Sequence, residues 1–296
     1  MRIFDCTTFY SEDLMLDVRF NILNEHVHKF VIVESRYSHS GKKKNLNFDI
    51  NKFKKFKDKI RYVVIENEPE GLQEINDQSK SSIIKRMNSI KRVEQSYNYM
   101  QNGIKDASEN DLIVLSDNDE IPNFNSKHFK NSKNDIYIFE QLFFHYKFNL
   151  FYDLIPWYGT KACKKKCLQS FAWLRNLKNK KYPFWRLDTL FSKNKFININ
   201  IIKDGGWHFT NVKSPEDLFE KLSNYGHHNE FEDAGVTVEK LRYNINNRIV
   251  DYDHLADKSK PATDKLNRNY KLKIAENSFL PKYLILNKDK YSEWFE

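Results

Sequence analysis

The sequence predicts an α/β domain built on a mostly parallel, doubly wound sheet flanked by helices, and three observations carry that reading. Two short apolar runs, Phe30-Val31-Ile32-Val33 and Leu112-Ile113-Val114-Leu115, lack the alternation of a half-exposed strand and so suit strands buried on both faces. Helical patterns separate these runs. The second run ends directly on three acids, Asp117, Asp119 and Glu120, at the strand end where open parallel sheets bind their ligands.

Arg2 to Thr7 reads as the first strand. Ser11 is placed to cap a helix with Glu12 and Asp13 in its first turn, and Leu14, Val18, Ile22 and Leu23 recur at helical spacing, so Ser11 to Glu25 reads as an amphipathic helix. Lys29 to Glu34 is the next strand, and Ser38 to Asn47 is a polar loop at its end. Arg61 to Glu66 repeats the strand pattern, Ile83 to Met100 is a helix by length and period, and Asp111 to Ser116 is a further strand. Such alternation argues for parallel pairing.

Beyond Pro122 the pattern changes. Ile136 to Phe148 is aromatic and strand-like, Trp157 to Tyr182 is basic and reads as irregular, and Leu190 to Ile202 holds more strand material. Gly205-Gly206 marks a turn before Trp207-His208-Phe209, and Pro215 opens a helix running to Tyr225. No internal repeat or linker is visible. The expectation is one domain over residues 1–230 with a helical extension, 231–296, packed on it.

With 296 residues, 40% hydrophobic and 15% aromatic, the chain has ample apolar material for a core. Its net charge of +9 and pI near 9.1 favour anionic partners: nucleotide diphosphates, acidic glycans, phospholipid surfaces or nucleic acid. The lysine excess is spread along the chain and no nucleic-acid-binding motif accompanies it, so no specific nucleic-acid partner is expected. Peripheral contact with an anionic membrane surface stays open. No run approaches the roughly 18 apolar residues of a membrane span, and Arg2 and Asp5 interrupt any signal peptide, so the expected location is the cytoplasm. Cys6, Cys163 and Cys167 cannot all pair, and the Cys163/Cys167 spacing lacks the second half of a zinc site.

The acidic cluster is the most informative segment. Two acids one residue apart can aim one carboxylate at a divalent ion and the other at a ribose or a bound water, and Mg²⁺ or Mn²⁺ held there would neutralise a departing diphosphate. An Asp-x-Asp triplet by itself arises by chance in most chains of this size, and a solvated turn closed by Pro122 is the competing reading.

Several separated segments together resemble glycosyltransferase family 17, which includes the β-1,4-mannosyl-glycoprotein 4-β-N-acetylglucosaminyltransferases. They are Phe4 to Phe9, Phe30 to Ser35, Ser40-Gly41-Lys42, Leu115 to Pro122 and Gly206-Trp207-His208-Phe209, in the family's order over about residues 1–230. Asn118 stands where that pattern has an apolar residue. The resemblance implies a GT-A type, Rossmann-like fold, a UDP-sugar donor with UDP-GlcNAc favoured, a divalent metal, inversion at the anomeric carbon, and a glycan or glycolipid acceptor.

It also suggests roles. Asp119 is the expected metal ligand, Asp117 the ribose or metal-shell partner, and His208 a late histidine returning to the metal, against the alternative of a histidine packed beside a core tryptophan. Asp188, in Phe184-Trp185-Arg186-Leu187-Asp188-Thr189, is the expected general base, with an ion pair to Arg186 as the competing reading and Glu140 as the runner-up. Asp5, Thr7 and Glu34 close strands where they could meet the nucleotide, and Arg86 and Asn88 fall where the family carries an Arg-Asn pair suited to diphosphate. Tyr146, Trp157 and Trp185 are candidates to stack on sugar rings. His227, His228 and Glu230 read as acceptor contacts or packing rather than as a metal site. Two rival readings are a metal-dependent nucleotidyl- or phosphotransferase, disfavoured by the missing Gly-rich phosphate loop, and a non-catalytic basic surface-binding protein.

Overall fold

The computed structural model describes residues 1–296 except 77–80, 184, 190, 194, 197, 226–227, 257–264 and 267. In chain order the strands are β1 (Ile3–Thr8), β2 (Lys29–Ser35), β3 (Ile60–Ile65), β4 (Leu112–Leu115), β5 (Glu120–Pro122), β6 (Ile136–Phe139), β7 (Leu142–His145), β8 (Leu150–Phe151), β9 (Lys161–Lys164), β10 (Ile199–Ile202), β11 (Gly206–Thr210), β12 (Ile249–Val250), β13 (Tyr270–Lys271) and β14 (Lys273–Ile274). The α-helices are α1 (Asp13–Leu23), α2 (Ser81–Met100), α3 (Lys127–Lys130), α4 (Phe171–Asn176), α5 (Pro215–Asn224), α6 (His228–Asp233), α7 (Val238–Asn247) and α8 (Lys282–Leu286).

The apolar runs lie side by side in a seven-stranded sheet of order β10-β6-β9-β4-β1-β2-β3. Every pairing among β1 to β4 is parallel, so Thr8, Ser35, Ile65 and Leu115 finish along one edge. Burial on both faces explains the runs: Val31, Ile32, Ile113 and Val114 are fully covered. One face packs on α1 and the C-terminal residues through Phe20, Phe30 and Tyr291, and the other on α2 and α4 through Met100, Leu174 and Ile113.

One strand departs from the sequence reading. Lys161–Lys164, expected to be irregular, is β9, and it pairs antiparallel with both β4 and β6 at the centre of the sheet. Its flanking lysines hide the pattern. Lys161 is buried because its ammonium reaches the carbonyls of Arg175 (2.7 Å) and Leu177 (2.6 Å) at the end of α4.

A second sheet, β14-β8-β7-β11-β5, stands beside the first and sets His208 opposite Glu120 across the β11–β5 pair. Gly206 starts β11 with φ 126°, and a Cβ there would lie 2.1 Å from the Ile121 carbonyl oxygen, so only glycine allows this close pairing. The segment after residue 230 is helical at α7 and α8 and also adds β14 to this sheet through Lys273↔Phe151. It closes on Phe148 through Tyr291 and Phe295.

Arg19 on α1 joins these parts. Its guanidinium holds both carboxylate oxygens of Asp5 on β1, with Nε to Oδ2 at 2.7 Å, and also donates to the carbonyls of Glu120 and Asp117. Neither side chain of the pair is exposed. Removing one partner of a fully buried pair strands the other's charge, so Arg19→Met should cost about 3–5 kcal/mol in urea unfolding and Arg19→Met/Asp5→Leu markedly less. A single variant within about 1 kcal/mol of wild type, the range of ordinary surface changes, would show that the pair does not organise the fold.

Candidate functional site

β4 ends in a tight turn at the edge where the parallel strands finish. The Glu120 backbone N–H donates to the Asp117 carbonyl (3.0 Å), and the Asp117 N–H donates to the Glu120 carboxylate (3.0 Å), so residues 117–120 form a closed loop. Glu120 is fully buried and also accepts from the Trp157 indole N–H at 2.8 Å. Burial, then the neighbouring Asp117 charge, pushes its carboxyl up. Gly159 makes room for it, since a Cβ there would sit 1.8 Å from Glu120 Oε1.

The two aspartates of the turn face different partners. Asp117 remains 41% exposed and accepts from Arg175 on α4 at 2.7 Å. Asp119 is nearly covered, with His208 Nε2 3.5 Å from one oxygen and Lys221 Nζ 3.4 Å from the other. Burial alone would raise the Asp119 carboxyl, but the Lys221 ammonium and His208 outweigh it and hold the group well below the usual carboxylate range. Lys221 answers in kind: burial opposes its charge, and Asp119 more than restores it.

His208 lies between two rings, stacked on Phe143 at 4.8 Å and tilted against Trp157 at 4.4 Å, with its Nδ1 buried and unpartnered among the described residues. The stack fixes the imidazole plane so that Nε2 points at Asp119. His145, buried behind Phe143, is kept neutral by burial, which pulls it well below its ordinary range.

Helix α5 links this centre to a larger cavity. Leu218, Lys221 and Asn224, spaced by three, share its inward face. Asn224 receives the Ser40 backbone and hydroxyl (3.3 and 3.1 Å), while Lys221 sits one turn earlier at Asp119. Beyond Asn224 opens a cavity of about 490 Å³, lined by Ser40, Gly41, Gln73, Asn88, Arg92 and His228 among others. Arg92, paired with Glu68 at 2.7 Å, also reaches the His39 carbonyl and so braces the loop at the cavity mouth. A smaller cavity of about 130 Å³ on the other side holds Ser11, Asp119, Lys213 and Lys221.

Several expected site residues prove structural. Asp5 is sealed against Arg19, and Thr7 is fully buried with its hydroxyl on the Thr8 carbonyl, so neither reaches a nucleotide. Glu34 is 1% exposed and accepts from Lys44, the backbone of Asn47 and Phe48, and the Tyr62 hydroxyl. With its lone pairs engaged, it holds the 44–48 loop rather than a ligand. Asn88 lines the large cavity but spends both amide atoms on the Gln73 backbone (2.9 and 2.8 Å). Arg86, half-buried on the same helix and engaged by neighbours, is not among the described residues lining it.

The two base candidates are both ion-paired. Asp188 is exposed and held by Arg186 (2.7 and 2.8 Å) and Lys195 (3.0 Å), which keep its carboxyl well below the usual range. Glu140 accepts from Tyr158 and Lys203, both at 2.6 Å, and although burial opposes it these contacts lower its carboxyl. Among the described residues no hydrogen bond or ion pair joins either to the 117–120 turn or to His208. Tyr146 is core, Trp157 packs tilted against His208, and Trp185 is 66% exposed. Of the His227, His228 and Glu230 group, His227 and the Glu230 side chain lie outside the described residues; His228 faces the Tyr225 carbonyl at 3.0 Å.

The sequence reading missed Arg19, Arg175, Lys213 and Lys221. For Lys221 a signal existed, because a lysine three residues from Leu218 falls on the buried face of an amphipathic helix. Asn118, the residue standing where the family pattern has an apolar one, donates to Glu12 at 2.7 Å, and the same Glu12 oxygen receives the Tyr10 and Ser11 N–H groups.

Comparison with protein families matches residues 1–294 to glycosyltransferase family 17. No curated protein matches. Among solved structures, a protein described as a glucose-1-phosphate thymidylyltransferase from Bacillus anthracis, in complex with sucrose, aligns at 12% identity over 69% of this chain and 87% of its own, with a TM-score of 0.34. HddC from Yersinia pseudotuberculosis, complexed with GMP-PN, aligns at 14% identity over 74% and 97%, with a TM-score of 0.33.

Lys161 makes the site's support pH-sensitive. Burial, with Arg175 nearby, pulls its amine from the ordinary 10.5 down to about 7. A neutral amine still has two N–H groups for its two carbonyl partners. Between those values the unfolded chain binds the extra proton, so this residue's contribution to stability rises as pH climbs from about 7 to 10.5. Urea midpoints across that window should rise less in Lys161→Met than in wild type; parallel curves would refute the assignment.

Proposed function

The chain belongs to glycosyltransferase family 17 and is a glycosyltransferase; from that premise we propose that it moves a sugar, with N-acetylglucosamine favoured, from a UDP-sugar to a hydroxyl of a glycan or glycolipid acceptor, with inversion. The observation that carries this is the convergence of Asp119, His208 and Lys221 at the strand edge, one helical turn from a cavity of about 490 Å³. Cavities of that size suit small-molecule and cofactor ligands. The nucleoside is assigned to the large cavity and the diphosphate to Lys221, with Lys213 beside it in the smaller one.

The donor set also suits a divalent cation. Asp119 offers an oxygen and His208 a nitrogen, a mix better matched to Mn²⁺ than to Mg²⁺, and such ions commonly complete their shell with substrate phosphates. No three-ligand cage is present among the described residues, so these two supply only part of a shell. A bound ion would add positive charge against the leaving diphosphate. Lys221 supplies such charge from the chain itself.

In the proposed reaction the acceptor oxygen attacks the anomeric carbon opposite the diphosphate, a carbon–oxygen bond forms as the sugar–phosphate bond breaks, and UDP departs. The acceptor proton needs a base. Glu140 is favoured over Asp188, because β4 and β6 both pair antiparallel with β9 and so run the same way, with Leu115 and Ile138 both opposite Lys161, which puts Glu140 at the same sheet edge as Asp117. Tyr158 and Lys203 must then yield to the acceptor.

Two measurements test the reading. In calorimetry, UDP should bind tighter with Mn²⁺ than without; Asp119→Ala should erase the Mn²⁺ gain, while Lys221→Ala should weaken metal-free binding by at least about tenfold and Lys221→Arg less, the scale of one buried charge-assisted contact. Unaltered Mn²⁺ dependence in Asp119→Ala would remove it from the metal site. With a UDP-sugar and acceptor, Glu140→Gln should keep donor affinity and lose roughly 10²-fold in transfer, and Asp188→Asn should stay near native. The opposite order would return the base to Asp188.

A further inference from the structure

Among the described residues between α4 and β10, three large apolar side chains stand in solvent: Trp185 is 66% exposed, Leu187 71% and Phe191 90%. Exposed apolar residues are ordinary when scattered singly, but three within seven positions need a reason. Basic residues surround them. Lys178, Lys180, Lys181, Arg186, Lys193 and Lys195 share the segment with Asp188 as its one acid between residues 176 and 198.

The charges are gathered rather than dispersed. Lys180, Arg186 and Lys195 lie 6.0, 5.7 and 5.9 Å from the ring centre of Tyr182, whose own side chain is buried beneath them. Asp188 bridges Arg186 and Lys195, relieving their mutual repulsion and holding them together. Trp185 and Leu187 flank Arg186 in sequence, so the apolar side chains stand next to the cationic group.

We propose that this segment is a membrane-docking loop that seats on an anionic phospholipid surface, with Trp185, Leu187 and Phe191 entering the headgroup–acyl boundary and the lysines meeting lipid phosphates. Amphipathic surfaces bind such bilayers by this pairing of apolar insertion with electrostatic attraction. A single-stranded nucleic acid would stack on Trp185 and Phe191 and leave the aliphatic Leu187 unused, whereas a bilayer boundary takes up all three. Arg175, which holds Asp117, stands in the last turn of α4, just before the loop begins. The inference does not depend on which donor or acceptor is used.

The test is co-sedimentation of the full chain with vesicles of phosphatidylcholine alone and with phosphatidylglycerol added. Binding should need the anionic lipid and fall with salt. Lys178→Gln/Lys180→Gln/Lys193→Gln should lower the partition coefficient roughly 100-fold at low salt, from the usual gain per basic residue near an anionic surface. Trp185→Ala/Leu187→Ala/Phe191→Ala, which leaves the charge intact, should lower it at least about tenfold, and brominated lipid should quench fluorescence in wild type but less in Trp185→Phe. Unchanged thermal unfolding confirms that each variant is folded. No binding to phosphatidylglycerol vesicles, or binding that survives the apolar triple change, would overturn the proposal. So would equal loss of vesicle and single-stranded RNA binding in the lysine variant with no effect of the apolar one, because that pattern marks a general polyanion surface.

Discussion

The arrangement rests on one buried guanidinium. Arg19 has no exposure, so its charge must be matched within the protein, and it is matched by Asp5 on β1 and by the carbonyls of Asp117 and Glu120. That requirement ties helix, strand and acidic turn into one unit. A loop of three acids following a strand would otherwise be free to splay into solvent. Here its backbone is held from below by Arg19, and its Asp117 N–H is held from within by Glu120.

Three carboxylates within four residues repel one another, and the fold answers each differently. Glu120 is desolvated and pushed toward its neutral form, with Trp157 and the Asp117 N–H as partners. Asp117 stays near solvent and takes Arg175. Asp119 is covered, yet Lys221 and His208 keep it ionised. The result is an acidic centre already partly neutralised by fixed cations, which lowers its repulsion of a further negative charge. The aromatic stack around His208 adds rigidity, because a ring wedged between Phe143 and Trp157 can turn only if both move.

The same physics explains the false leads. An acid at the end of a parallel strand looks like a ligand contact, and Asp117 and Asp119 lie just past the end of β4 with one side chain open to solvent and the other nearly covered. Asp5 and Glu34 share the pattern but lie beneath the surface, where a carboxylate persists only with its lone pairs filled; Arg19 fills one, and Lys44, Tyr62 and two backbone N–H groups fill the other. Strand-end position is legible locally, whereas depth is not.

By itself the sequence determined the parallel strands, the helices between them and the placement of the 117–120 turn at a sheet edge, because apolar runs, helical periodicity and turn residues are local signals carried by neighbouring positions. It did not determine β9, whose alternation is masked by lysines that find carbonyls or acids only after folding. Nor did it determine which cations serve the acids. Arg19 reaches the Asp117 carbonyl across 98 residues, Arg175 the Asp117 carboxylate across 58, and Lys221 the Asp119 carboxylate across 102. Such pairs are chosen through space by Coulomb attraction and the desolvation that strengthens it, and neither has a period along the chain. Only the tertiary structure, by bringing α1, α4 and α5 onto one strand end, decided them.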